Sequence, residues 1–239
     1  VNRTHVVPAS RSGESDTVIR LDNITKSYMT LRGRNVVFRD LSIDFPEGVN
    51  VGLIGRNGAG KSTLMRLLSS VDLPDSGKIV TRGRISWPVG LRGGLEAKLT
   101  GRDNVKFVCR IQGVRGARMK EKIDFVQEFA EIGEYFDRPV SGYSSGMRAR
   151  LAFGTSLAFE FDYYLIDEVM AVGDARFKKK SRALFDERLE NSNLIIVSHN
   201  MKLIRSMCDS VVLLENGRAI YFDDASEGIA AYRKTGDKP

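Results

Sequence analysis

The chain has 239 residues, 42% of them hydrophobic, and a formal net charge of +7. That length suits one large domain, or a core domain with an insert, and no apolar run approaches the ~18 residues that span a bilayer. No helix-turn-helix, zinc-finger or aromatic-basic signature accompanies the charge. Of its three readings (nucleic acid, an anionic membrane surface, plain solubility), nucleic acid is therefore the least supported.

Residues 1–16 are polar and aperiodic, with no apolar segment of a secretion signal, and read as a disordered leader. Alternating runs at Val18–Leu21, Ile24–Tyr28 and Val36–Phe45 predict antiparallel strands. Pro46-Glu-Gly48 turns the chain into a buried strand at Val49–Ile54, followed by a glycine-rich loop and a helix. Short strands are expected at Lys78–Thr81 and Arg84–Trp87. Helical spacing takes over at Asn104–Ile111 and Ala117–Ile132, with Gly113 and Gly133 as stops. Ser144 or Ser145 caps a further helix through Phe159. Strands at Tyr163–Ile166 and Leu194–Val197 then alternate with helices at Arg176–Leu189 and Met201–Met207, and strands Ser210–Glu215 and Arg218–Phe222 close the pattern. Alternation of this kind implies an α/β protein with a largely parallel, covered sheet. The stretch from about 90 to 158 is mostly helix and reads as an insertion. Cys109 and Cys208 lack metal-ligand spacing and read as reduced thiols of a cytoplasmic protein.

The loop is Gly55-Arg56-Asn57-Gly58-Ala59-Gly60-Lys61-Ser62-Thr63. Between a buried strand and a helix this is a P-loop. Its glycines turn backbone N–H groups toward phosphates, Lys61 reaches the β- and γ-phosphates of ATP, and the Ser62 hydroxyl ligates Mg²⁺. The apolar strand Tyr163-Tyr-Leu-Ile ends in Asp167-Glu168, a second Mg²⁺ ligand and a base for the attacking water. Tyr143-Ser144-Ser145-Gly146-Met147 opens an Arg-bearing helix and is a second phosphate-binding helix start, or only a cap. Leu194-Ile-Ile-Val-Ser-His199 places a histidine at another strand end, where it senses the γ-phosphate. Tyr28 stacks on adenine, or is an ordinary strand aromatic.

These motifs, in this order, resemble the nucleotide-binding subunits of ABC transporters over Val18–Arg233, with Asp174 in the loop after the paired acids. The resemblance implies a P-loop NTPase fold of ABC type, with an antiparallel β subdomain at its start. A helical subdomain would be inserted between the P-loop and the Asp167-Glu168 strand. It also implies a head-to-tail homodimer in which Ser144, Ser145 and Gly146 of one copy cap the ATP held by the other. Ile85–Gly94, Leu99–Phe107 and Asp167–Phe177 look like the capsular polysaccharide exporter branch. There the ATPase sits peripherally on the cytoplasmic face of the inner membrane. It partners a polytopic permease that handles the glycan, and it does not bind nucleic acid. A chain ending at Pro239 fits the capsule type better than the O-antigen type with its added carbohydrate-binding domain. Trp87-Pro88-Val89 stands where the family has a glutamine near the γ-phosphate, and Gln112 and Gln127 both lie in the insert. The alternatives are a soluble ABC ATPase acting on nucleic acid or ribosomes, and a P-loop kinase for small molecules.

Overall fold

The computed structural model describes residues 17–31, 33–89, 94–167 and 174–234, so the expected leader lies outside the described residues. Strand β1 (Thr17–Thr30) pairs antiparallel with β2 (Gly33–Pro46). β3 (Val51–Gly55), α1 (Lys61–Leu68) and β4 (Ser76–Thr81) follow, and β4 pairs with the other edge of β1. The alternating pattern suggests two strands across Val18–Tyr28, yet the backbone forms one. A bulge absorbs the break: register slips between Leu21 and Ile24, and Asn23 takes a left-handed φ of 52°. Its N–H donates to Ser42 Oγ at 2.9 Å. On β2, Asp40 at φ 51° donates its N–H to Thr25 Oγ1 at 3.2 Å. Asn and Asp tolerate this conformation best after glycine, so paired bulges bend the hairpin with little strain.

The helical unit takes in α2 (Gly101–Ile111), α3 (Gly116–Ala130), two 3-10 turns (Gly133–Asp137 and Val140–Gly142) and α4 (Ser145–Leu157). It also claims α5 (Ala175–Leu189), which follows the paired acids in sequence. Thr100 caps α2 by accepting from the Asp103 N–H, and Gly113 follows its end at φ 70°. α3 stops earlier than the expected Gly133, because Glu131 takes the left-handed cap at φ 51°. The core of this unit is aromatic. Phe129 stacks on Phe125 and Phe153 at centroid distances of 5.9 and 6.2 Å and meets Phe177 edge-on at 5.2 Å. Each buried ring contributes about 1.5–3 kcal/mol through removal of apolar surface from water.

The other unit holds the three-stranded sheet and a five-stranded sheet in the order β5-β6-β3-β7-β8. Here β5 is Tyr163–Asp167, β6 Asn193–Val197, β7 Ser210–Glu215 and β8 Arg218–Phe222. The first four run parallel, and β8 is an antiparallel edge. β3 is buried at every position and β5 at all but Asp167, which is why these strands read as continuous apolar runs. Val197 is level with both Leu53 and Asp167, so β3, β5 and β6 end at one edge of the sheet. The strand expected at Arg84–Trp87 reduces to one bridge, Ile85 to Tyr163. Fully buried Ser86 replaces the next ladder bond with its side chain, since its Oγ accepts from the Leu165 N–H at 2.9 Å.

Helices α6 (Met201–Met207) and α7 (Ala225–Lys234) complete the unit. α7 was not expected from the sequence. Its buried residues are Ala225, Gly228 and Ile229, two of them small, so its apolar period is faint.

Candidate active site

The loop after β3 is shaped by glycines that admit no side chain. Gly55 has φ 152°, and a Cβ there would lie 2.4 Å from the Leu214 carbonyl oxygen. Gly60, the N-terminal cap of α1, has φ 102°, and a Cβ would lie 2.6 Å from Phe38 Cζ. No side chain caps α1. Lys61, Ser62 and Thr63 of its first turn line a cavity of about 250 Å³. The positive end of a helix, with no side chain capping it, makes such a cavity a seat for anions. Lys61 is 9% exposed, and its ammonium donates to the Gly55 and Arg56 carbonyls at 2.7 and 3.0 Å. The lysine is thus folded over its own loop, within reach of whatever the loop holds.

Asp167 and Val197, at the ends of β5 and β6, line the same cavity, as does exposed His199 two residues beyond β6. Three parallel strands therefore deliver a lysine, a hydroxyl, a carboxylate and an imidazole to one edge, as ligand sites in open α/β sheets require. The Ser62 hydroxyl and the Asp167 carboxylate are hard oxygen donors, which suit Mg²⁺. That ion is held through few carboxylates plus substrate phosphates and water. Among the described residues no group of three or more His, Cys, Asp or Glu side chains forms an all-protein metal cage.

The structure brings Asn57, Gly58, Gly60, Lys61, Ser62, Thr63, Asp167 and His199 together. Gly55 supplies a carbonyl to Lys61 without lining the cavity. Arg56 and Ala59 line a neighbouring hollow of about 460 Å³ with Asn35 and Glu215. Glu168 lies outside the described residues. Tyr28 does not line this cavity. Its hydroxyl donates to Asp72 Oδ2 at 2.7 Å, and its ring meets Lys26 Nζ at 5.0 Å and the Arg66 guanidinium at 5.5 Å. Two cations and a carboxylate hold the phenol in a structural network. Sequence reasoning missed the wall opposite: Val37 lines the cavity and Phe38 props Gly60. The only signal was their place in an alternating strand.

Ser144, Ser145 and Gly146 start α4 in the helical unit. Of the two candidate caps the structure selects Ser144, whose Oγ accepts from the Met147 N–H at 3.2 Å. Both serines are exposed, and a Cβ on Gly146 would meet nothing nearer than Ser144 Oγ at 3.8 Å. Arg148 does not join this start. Its guanidinium donates back to the Tyr143 carbonyl at 2.8 and 3.1 Å. Arg150 donates to Asp174 Oδ2 at 2.7 Å and stacks over Phe177 at 4.5 Å. Asp174 in turn caps α5 through the Phe177 N–H, and this bond, helped by Arg150, holds its carboxyl below the usual range. Trp87 packs edge-on against Phe161 at 5.2 Å.

The family model for ABC transporters matches residues 38–171. The polysialic acid transport ATP-binding protein KpsT of Escherichia coli is 54% identical over 91% of this chain and 99% of its own. The capsule polysaccharide export ATP-binding protein CtrD of Neisseria meningitidis serogroup B is 43% identical over 90% of this chain and 98% of its own. The O-antigen export system ATP-binding protein RfbB of Klebsiella pneumoniae is 36% identical over 87% and 86%. Among solved structures, an ATP-binding subunit of an ABC transporter superposes with a TM-score of 0.72 at 19% identity, covering 93% of this chain and 96% of that one. A dimeric post-hydrolysis ATP-binding cassette with ADP and Pi superposes with a TM-score of 0.66 at 22% identity, over 84% and 96%. The chain belongs to the ABC transporter family, as one of its ATP-binding subunits.

Proposed function

We propose that this chain is the ATPase of a capsular-type polysaccharide exporter. Two copies would hold two ATP molecules between them at the cytoplasmic face of the inner membrane and drive a separate polytopic permease, which handles the glycan. The observation that carries the reading is the convergence of Lys61, Ser62, Asp167 and His199 on one cavity, in a chain 54% identical to a polysialic acid transport ATP-binding protein. Likeness to capsule and O-antigen export proteins favours export over action on nucleic acid or ribosomes. No described helix is long and apolar enough to cross a membrane, which suits a subunit that borrows its membrane path from a partner.

In this reading Lys61 exchanges its two loop carbonyls for β- and γ-phosphate oxygens. Ser62 and Asp167 would hold Mg²⁺, whose charge would offset that of the phosphates. Glu168 takes a proton from water as its oxygen bonds to the γ-phosphorus and the bond to the β–γ bridging oxygen breaks, leaving ADP and inorganic phosphate. His199 contacts the γ-phosphate from the end of β6. Ser144, Ser145 and Gly146 of the second copy complete the charge-stabilising shell, so turnover requires the dimer and its products release it.

Glu168→Gln tests the assignment. It is expected to bind Mg-ATP normally, to accumulate as an ATP-dependent dimer by light scattering, and to lose turnover by about 10²–10⁴-fold. Cells relying on it should display no surface polysaccharide. Wild-type hydrolysis by this variant rules Glu168 out as the base.

A further inference from the structure

Away from the ATP cavity, α6 and α7 enclose a hollow of about 130 Å³ whose lining has one sign of charge. Lys202 and Arg205 contribute from α6, Arg233 from α7, and no Asp or Glu lines it. The helical period explains the convergence. Ser226, Ile229 and Arg233 fall on one face of α7, while Lys202 and Arg205 are three apart on α6. Arg205 donates through Nε to Ser226 Oγ at 3.2 Å, which fixes its guanidinium across the gap. All three cations are exposed, and among the described residues none of them pairs with a carboxylate. Asp224 accepts from the Glu227 N–H at 2.9 Å, and neither acid lines the hollow. Beneath the cations lies an apolar floor that includes Met201 and buried Ile229.

Three exposed like charges line this one hollow, and a lone carboxylate would neutralise only one of them. A phosphate monoester is close to a dianion at neutral pH and offers three acceptor oxygens to two guanidinium forks and an ammonium. We propose that this hollow is a second phosphate site. It binds the phosphate group of a ligand whose adjoining carbon chain lies on the Met201–Ile229 floor. The site is separate from the P-loop, yet α6 starts two residues after His199, with Asn200 as its cap.

The test uses the full chain with its P-loop filled by magnesium and a non-hydrolysable ATP analogue, so that phosphate cannot report from there. Glycerol 3-phosphate and vesicles of phosphatidic acid, with phosphatidylcholine vesicles as the blank, are the probes. The readouts are the NMR signals of the Arg205 Nε–H and the Ser226 amide, and vesicle co-sedimentation. Binding of the soluble ester marks a soluble phosphate ligand; binding of phosphatidic acid vesicles alone marks a lipid headgroup. In either arm Arg205→Gln and Arg233→Gln should each weaken binding about tenfold, as loss of a charge-assisted bond does. Lys78→Gln, a surface charge on β4, should not. Basal Mg-ATP hydrolysis persists in the Arg variants, which separates this site from the ATPase assignment. Saturating both probes without a shift, or equal binding by the Arg205→Gln and Arg233→Gln variants, overturns the proposal.

Discussion

Helices α1 and α4 both begin in small residues, but they treat their first-turn amides in opposite ways. α1 starts at a left-handed glycine with no side-chain cap, and its opening residues line a cavity beside a carboxylate and a histidine. α4 caps itself with Ser144, and Ser144 and Ser145 are exposed. Its preceding segment is tied down by Arg148 through the Tyr143 carbonyl. A helix start without a side-chain cap leaves room for a ligand to accept from its amides, whereas a self-capped one already satisfies one of them. The difference fits the proposed division of labour, with α1 binding nucleotide and α4 offering a preformed surface to the nucleotide of a second copy.

The largest effect should come from breaking the α1 side. Gly60→Val would place a branched side chain at φ 102° and 2.6 Å from the Phe38 ring. A β-branched residue has essentially no access to that conformation, and the ring is buried and cannot retreat. Nucleotide binding measured by calorimetry should be abolished. Lys61→Ala keeps the loop intact and isolates the charge; hydrolysis should drop by about 10²–10³-fold or more. Retained turnover in Lys61→Ala would mean that the lysine's contacts to Gly55 and Arg56 are structural only.

Next in size is the α4 side. Ser144→Ala removes a cap worth about 1 kcal/mol and, in the proposed dimer, the hydroxyl offered to a second copy. Binding of ATP by the single chain should be unchanged, while the ATP-dependent dimer of a Glu168→Gln background should weaken in light scattering. Ser144→Asp separates the two roles: it keeps a good cap but sets a negative charge toward the phosphates, so it should restore the melting temperature and not the dimer.

How much of this was legible follows from where each signal resides. The P-loop glycines are local, since each marks a backbone angle or a close approach that only glycine meets, and the strands behind Asp167 and His199 announce themselves as unbroken apolar runs. The Val37–Phe38 wall was not legible, because it forms by a contact across the fold and alternation gives no hint of what a strand face touches. The same limit hid the fate of Tyr28. Its place upstream of Lys61 suggested a base-stacking aromatic or an ordinary strand residue, and alternation gave no hint that Lys26, Arg66 and Asp72 would contact it from β1, α1 and the loop beyond. The long β1 escaped because its bulge at Asn23 breaks the period of two just where a strand boundary would.

The smallest expected effect concerns that network, which ties β1 to α1 and the loop beyond it and does not line the cavity. Lys26 is 8% exposed, and its ammonium donates to Asp72 Oδ1 and to the Leu73 carbonyl, each at 2.6 Å. The Lys26 bond first, then that from Tyr28, holds the Asp72 carboxyl below its ordinary value of 3.8, against the opposing pull of burial. A carboxylate depressed in the folded state stabilises fully above that ordinary value, and its contribution is lost as pH falls through the lower folded value. The lysine is shifted the other way, above 10.5, chiefly by the same bond, so its share persists at neutral pH and fades only in strong base. Asp72→Asn should therefore melt a few degrees below the wild type at pH 7. The two melting curves should draw together as the pH is taken below about 4, where the wild-type carboxylate also protonates. ATP affinity should not change across the pair, because Tyr28 and Asp72 lie outside the cavity. A large loss of affinity in Asp72→Asn would return Tyr28 to the binding site and undo the separation between the sheet's ion network and the ATP cavity.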